Sequence, residues 1–515
     1  MTRQSFVYGA FILLVASLFN RVIGFIYQIA MIRIIRPEGV GLFNMVYPIY
    51  VLVLVLAGAG IPVAIAKLVA EEVARKNLYG AYRIFTIAFW CITGSSVFLT
   101  GLLLFALPWI KQLAFPHPKV YYSLLALIPA IIIVSLCSAF RGFFQGLQQM
   151  TPTATTQVVE QIIRVTAGLV IAYLLLPRGV EYAAMGISLG VVCGELAGFL
   201  LMLFIYVQKR PPLTGLRLNL PAPLYVDARR IFQLAVPVTL TRFVSTALLS
   251  VDAILIPRRL QAAGLGLLET TATYGQLVGI AETLLFTPGI VTISLATALV
   301  PAISDALAQN DLALVRGRTE EALRLTMLAG LPTAAVFWFM PRELCAVLFG
   351  YGEAGQALAI LALGGPFLYL QQTVTGVLQG LGLADRPLKN LLVASLFKII
   401  GIYYLTAVPS LTVRGTAAAI SLGYMIMALL NYLDLRRSIR LRVDPGYCLG
   451  KPLAATAGML AVMQLWREYM FKPDSIFHIG FFLLLGGFTY LFILLLLGGV
   501  HRYDLSRLHS FLRLR

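Results

Sequence analysis

Charge is scarce in this chain. Asp, Glu, Lys and Arg make up 12% of its 515 residues, against about 25% in soluble proteins. With 59% of residues hydrophobic and a mean hydropathy of +0.87, a water-soluble globular protein is excluded. Histidine is rarer still: His117, His478, His501 and His509 all fall at the ends of apolar runs or between them, and no His-Glu-x-x-His occurs. The cysteines Cys91, Cys137, Cys193, Cys345 and Cys448 show no paired spacing, so neither a disulfide framework nor a metal cluster follows. There is no Gly-x-x-x-x-Gly-Lys-Ser/Thr phosphate loop; Gly450-Lys451 runs into Pro452, which argues against an in-chain ATPase. No long polar stretch is left to house catalysis. The expectation is a non-enzyme that needs no cofactor and no metal.

What the chain has instead is long apolar runs. Runs of about 20 residues read as membrane spans. There are fourteen: 7–33, 42–70, 84–108, 120–147, 154–176, 182–208, 231–256, 270–303, 322–340, 354–381, 388–408, 412–434, 449–469 and 476–499. The sequence therefore predicts an all-α polytopic membrane protein. Met1-Thr2-Arg3 leads straight into the first run with no evident small-residue cleavage site, so that run is expected to stay as a helix.

The net charge of +18 is explained by placement rather than by nucleic acid. With the N-terminus in the cytoplasm, the inner segments carry 25 Lys and Arg and the outer loops 11. That bias follows the positive-inside rule and puts both termini inside. The tail with Arg502, Arg507, Arg513 and Arg515 then lies beside anionic lipid.

The chain also repeats itself. Gly142-Phe143-Phe144-Gln145-Gly146-Leu147 recurs as Gly376-Val377-Leu378-Gln379-Gly380-Leu381 at an offset of 234, each followed by a proline, Pro152 or Pro387. Arg164 recurs as Lys398 at the same offset, and Ala184 to Gly190 recurs as Ala417 to Gly423 at 233. Pro62 and Pro301, and Arg21 and Arg242, read as further counterparts. Generic small-residue helix contacts explain one match, not a series at constant spacing. Six spans per copy is an even number, so the copies enter the membrane from the same side as parallel repeats, which permits rocking about a central cleft. The expected organisation is a first lobe at 1–210, a proline-rich cytoplasmic linker at 211–227, a second lobe at 228–440, and two extra spans with a basic tail at 441–515.

Eight charges remain inside spans: Arg21, Arg164, Arg242, Lys398, Glu160, Glu195, Asp252 and Glu282. Facing hydrocarbon, each costs about 2.5–3.5 kcal/mol, and together they exceed a typical net stability of about 5–15 kcal/mol. Most must pair or line an aqueous cavity. Glu160 and Arg164, four residues apart, can pair on one helix face. Arg21 and Arg242 lie in the first helix of each copy and are the leading candidates for cavity lining, with Arg164 and Lys398 behind them. Converging cations suit an anionic substrate, because the arginine fork matches phosphate oxygens. Glu282, Asp252 and Glu160 are candidates for Na⁺ or H⁺ coupling, or for pairing with those cations. Gly58 to Pro62 and Thr287-Pro288-Gly289 mark bends or breaks in spans.

Asn20-Arg21-Val22-Ile23-Gly24-Phe25, Arg36-Pro37-Glu38-Gly39-Val40-Gly41, Pro48 and Gly60-Ile61-Pro62-Val63-Ala64 resemble the start of the stage V sporulation protein B family. That family belongs to the multidrug/oligosaccharidyl-lipid/polysaccharide exporter (MATE) superfamily and is related to MurJ-type lipid II flippases. The resemblance runs over essentially the whole chain. It implies a bacterial cell-membrane transporter that moves undecaprenyl-pyrophosphate-linked sugars outward by alternating access, here for spore-cortex peptidoglycan. It also implies membrane lipids and cell-wall synthesis enzymes as partners. Arg21 matches the first-helix arginine that engages the pyrophosphate in MurJ-type flippases, with Asn20 beside it. Other cavity arginines of that type do not carry over; their places hold Tyr27, Leu52, Val53 and Glu282.

Two rival functions follow from the same residues. A drug or organic-cation antiporter of the superfamily requires a net acidic, aromatic-lined cavity, whereas this chain sets four bases against four acids inside its spans. A non-transporting scaffold for wall-synthesis enzymes requires that Arg21 be dispensable.

Overall fold

A computed structural model describes residues 6–58, 60–113, 115, 117–209, 224–470 and 476–499. The basic tail, His501, His509 and linker residues 211–223 lie outside the described residues; linker residues 224–227 form the first turn of a helix. Among the described residues there are helices and no strand. In lipid this is the economical solution, because a helix satisfies its backbone polar groups internally.

The chain divides into two compact units, Met1–Gln261 with Leu265–Gly275, and Ala262–Gly264 with Gln276–Arg515. The first is built from α1 (Phe6–Gly58), α2 (Ile61–Ala74), α3 (Leu78–Leu113), α4 (Val120–Gly146), α5 (Thr151–Leu175), α6 (Val180–Lys209), α7 (Leu224–Ala262) and α8 (Leu267–Gln276). The second starts with a π-helical turn, Leu277–Glu282, and α9 (Thr283–Phe286). It continues through α10 (Gly289–Ala308), α11 (Leu312–Phe339), α12 (Pro341–Phe349), α13 (Gly355–Gly380), α14 (Asp385–Leu405), α15 (Val413–Ile439), α16 (Lys451–Met470) and α17 (Ile476–Leu496).

Among the described residues, thirteen stretches are long and apolar enough to cross a membrane. The first, Ile12–Ala74, has 63 residues. At a rise of 1.5 Å per residue it measures ~95 Å, about three bilayer cores, so it must turn back within itself. The turn is at Arg36, whose φ of 60° and ψ of 169° break the helix just before Pro37. Proline disfavours the helical conformation in the residue before it and is tolerated at the start of the next helix. The first two expected spans are thus one stretch bent at Arg36-Pro37. The expected breaks after Gly58 and at Thr287-Pro288 are present too, since α2 begins at Ile61 and α10 at Gly289.

Within the first unit, α3, α4 and α6 close on an aromatic centre, with the Phe85 and Phe143 rings 4.7 Å apart and Phe140 and Tyr206 5.0 Å apart. α7 runs along the α1–α2 stretch: Ser250 Oγ donates to the Pro48 carbonyl at 3.1 Å and Gly60 N–H donates to Thr239 Oγ1 at 3.1 Å. Its first turn is anchored by Asp227, buried against Arg83 of α3 at 2.5 Å.

The duplication is visible in how each unit packs. A Cβ on Gly142 would sit 2.6 Å from the Pro62 carbonyl oxygen, and one on Gly376 would sit 2.6 Å from that of Ala296. One turn on, Gly146 meets Val69 Cβ at 2.7 Å and Gly380 meets Ile303 Cβ at 2.9 Å. Every position in the second set is its partner in the first plus 234. The packing therefore places Ala296, not Pro301, at the position of Pro62. In both units only glycine lets these helices touch, as membrane helices without a hydrophobic driving force require.

Candidate functional site

The sequence-predicted charges of the first unit fall into two groups, one buried and one exposed. The buried group is an ionic network across three helices. Glu160 of α5 takes Arg164, one turn along the same helix, on Oε1, and Arg141 of α4 on Oε2 at 2.6 Å. Arg164 Nη2 also donates to Glu195 Oε1 of α6 at 2.5 Å. Two arginines and two carboxylates cancel, which removes most of the cost of holding four charges in a helical bundle.

Local sequence builds this arrangement. Glu160 and Arg164 share a face by their spacing of four, and Gly194 of α6 clears the space beside them. A Cβ there would stand 2.7 Å from both Arg164 Cβ and the Glu160 carbonyl oxygen. Glu195 follows directly and reaches the guanidinium. In the second unit Gly423 bears on the Lys398 stem in the same manner, with a Cβ 3.1 Å from Lys398 Cβ.

Sequence reasoning found Glu160 with Arg164 and missed Arg141. It lies within the span 120–147 but outside the eight interior charges singled out above, yet it forms one arm of the network. The signal was available: Arg141 is the only charge between Val120 and Gly146. Tyr27 is buried, and its hydroxyl lies 2.7 Å from where a Gly168 Cβ would be. Tyr27 Oη, Arg141 Nε and Arg164 Nε find no hydrogen-bond partner among the described residues, so each keeps unused bonding capacity.

The exposed group lies on α1 and α7. Arg21 sits midway along the first limb of α1, exposed, with no ion pair or hydrogen bond to any described residue. It shares its face with Leu14 and Leu18, themselves 57% and 50% exposed. Asn20 turns the other way, and its Nδ2 donates to the Gln157 carbonyl of α5 at 3.5 Å. Arg242 is exposed on α7, in the same unit as Arg21, and Asp252 is half-buried two to three turns further along. In the second unit, Glu282 is half-buried and ends the π-helical turn, and Lys398 is half-buried on α14. Among the described residues no cluster of three or more His, Cys, Asp or Glu is placed to hold a metal ion.

The fold defines a class, the all-helical membrane proteins of MATE- and MurJ-like architecture. A polysaccharide biosynthesis protein family model matches residues 6–307, and a MatE model matches 277–404. The chain is 36% identical over 437 residues to stage V sporulation protein B of Bacillus subtilis (strain 168), covering 84% of this chain and 83% of that protein. It is also 24% identical to lipid II flippase MurJ of the same organism, covering 83% of this chain and 82% of that one. A solved structure of lipid II flippase MurJ in an inward closed conformation superposes with a TM-score of 0.70 at 16% identity, covering 93% of this chain and 97% of that chain. An inward-facing multidrug resistance MATE transporter superposes with a TM-score of 0.67 at 16% identity, covering 82% of this chain and 94% of that chain. The chain belongs to the polysaccharide biosynthesis protein family and, within it, is a homologue of stage V sporulation protein B.

Proposed function

We propose that this protein is a flippase that carries a lipid-linked sugar diphosphate from the cytoplasmic to the outer leaflet by alternating access, in service of spore-cortex peptidoglycan. One observation carries the reading: Arg21 is an exposed guanidinium at mid-helix, with no counter-ion among the described residues. A lone cation at that depth needs an anion or water. Its companions Leu14 and Leu18 make the face amphipathic, which suits a cargo with a charged head and an apolar tail.

In this mechanism Arg21 and Arg242 of the first unit clamp the diphosphate, arginine forks meeting phosphate oxygens. Arg164, engaged by Glu160 and Glu195, keeps the buried network closed rather than reaching the headgroup, while Asn20 docks α1 on α5 and so fixes where Arg21 points. Lys398 supplies a second-unit cation. Asp252 and Glu282 are the coupling candidates for Na⁺ or H⁺. A membrane potential also favours outward movement of an anionic head, by about 2.3 kcal/mol per charge per 100 mV.

The test is a leaflet-accessibility assay in proteoliposomes with polyprenyl-diphosphate-linked sugars, applying potential, Na⁺ and pH gradients separately. The unaltered protein is expected to expose the headgroup to the outer side, and Arg21→Ala to lose this while folding normally. Full activity in Arg21→Ala would remove the clamp and favour the scaffold reading.

A further inference from the structure

The two units place different chemistry on one repeated frame. At the offset of 234, Arg141 corresponds to Thr375, Glu160 to Ala394 and Gln145 to Gln379. Where the first unit buries ions, the second contains a cavity of about 550 Å³ with no Asp, Glu, Lys, Arg or His in its lining. Ile293, Ala296, Val300 and Pro301 of α10 form an aliphatic side, and Gln371, Gln372, Thr375 and Gln379 form a polar stripe on the adjoining α13.

The stripe has unused hydrogen-bonding capacity. Gln371 is 8% exposed, and its Oε1 accepts no hydrogen bond among the described residues. Buried acceptors of that kind are normally satisfied. Gln372 Oε1 accepts from Thr292 Oγ1, leaving its amide hydrogens to donate. Thr375 is held from behind, since Asn431 Nδ2 donates to its Oγ1 at 3.2 Å while Asn431 Oδ1 accepts from Asn390 at 2.9 Å. The Thr375 hydroxyl hydrogen remains to donate.

Uncharged groups that both donate and accept, set against an aliphatic wall, match a sugar ring, whose hydroxyls do both and whose C–H face is apolar. Neither a cation nor a phosphate finds a charged partner here. The volume falls within the ~300–1,000 Å³ of small-molecule sites. We propose that this cavity of the second unit binds the neutral sugar portion of the cargo. The identity of the cargo rests on the flippase reading above; the sugar site itself is tested without it.

The experiment is ligand-observed NMR on the full chain in lipid nanodiscs, with two probes, inorganic pyrophosphate and the neutral disaccharide N,N′-diacetylchitobiose. The disaccharide is expected to bind the unaltered protein, and Gln371→Met to weaken it about five- to ten-fold, the loss of one or two hydrogen bonds. Pyrophosphate binding is expected to be unchanged by that substitution. Gln379→Met, at an exposed position, gives the same comparison should Gln371→Met fold poorly. Pyrophosphate binding without disaccharide binding overturns the sugar site and leaves the flippase reading standing. Disaccharide binding without pyrophosphate does the reverse. Disaccharide binding that neither substitution weakens also overturns the site.

Discussion

Arg164 Nη2 and Glu195 Oε1 meet at 2.5 Å, joining α5 to α6 through an ion pair buried inside the first unit. Each end is already committed to balance, since Arg164 also serves Glu160, which in turn holds Arg141. Removing one member leaves an uncompensated buried charge, at a cost of about 3–5 kcal/mol. Glu195→Ala or Arg164→Met alone is therefore expected to lower thermal stability by that amount in detergent. The double substitution leaves Arg141 with Glu160, a neutral pair, and should be less destabilising than the sum of the singles by more than ~1 kcal/mol. Simple additivity would show that the four charges do not act as one network.

Gly146 and Gly380 offer a test of the duplication. Each lies under 3 Å, in Cβ terms, from a branched side chain of the neighbouring helix, Val69 in one unit and Ile303 in the other. Overpacking at such a contact costs typically about 1–3 kcal/mol. Gly146→Leu and Gly380→Leu are both expected to destabilise by that order in thermal melts, whereas Gly101→Leu, with open space around its Cβ position, is expected to be neutral. A tolerant Gly380 beside an intolerant Gly146 would break the equivalence.

His117 predicts a pH dependence. It lies between α3 and α4, buried, and accepts a hydrogen bond on Nδ1 from the Lys119 backbone N–H at 3.2 Å. Burial, reinforced by the Lys119 charge and opposed by Glu181, pushes its imidazole below the ordinary range. A group whose folded-state pKa is lowered binds fewer protons in the folded than in the unfolded state. Stability is then lost as pH falls below about 6.5, the unfolded value. Between pH 7.5 and 5.5 the melting temperature is expected to fall further for the unaltered protein than for His117→Gln, which keeps an acceptor but cannot ionise. Parallel curves would remove His117 as the cause.

Much of this architecture was legible because lipid makes sequence speak plainly. Twenty-residue apolar runs have few alternatives to helices, and the 234-residue offset seen in Gly142 and Gly376 reappears as contacts, since glycine there has a single packing reason. The turn at Arg36-Pro37 was legible too, because it falls in the gap between the spans 7–33 and 42–70, where Arg36, Pro37, Glu38 and Gly39 interrupt the apolar run. Arg141 was missed for a different reason. Position along a span decides whether a charge reads as interior, and a residue near the end of α4 counts as terminal until Glu160 of the next helix is seen to reach it. The cavity of the second unit was invisible, because glutamine and threonine in apolar surroundings carry no charge to draw notice.

Arg21 makes the sharpest functional prediction, because it is exposed and touches little. Surface substitutions of that kind usually change stability by no more than ~0.5 kcal/mol, so a loss of transport cannot be blamed on misfolding. Lysine keeps the positive charge but not the planar fork, and glutamine keeps polarity without charge. If Arg21 grips two oxygens of a diphosphate, Arg21→Lys should keep part of the transport rate and Arg21→Gln almost none, with both melting like the unaltered protein. If the residue merely sets local potential, Arg21→Lys should be fully active. Transport rates in proteoliposomes, set beside melting curves of the same preparations, separate the two. Equal, complete activity in all three proteins would leave Arg21 no part in moving the cargo.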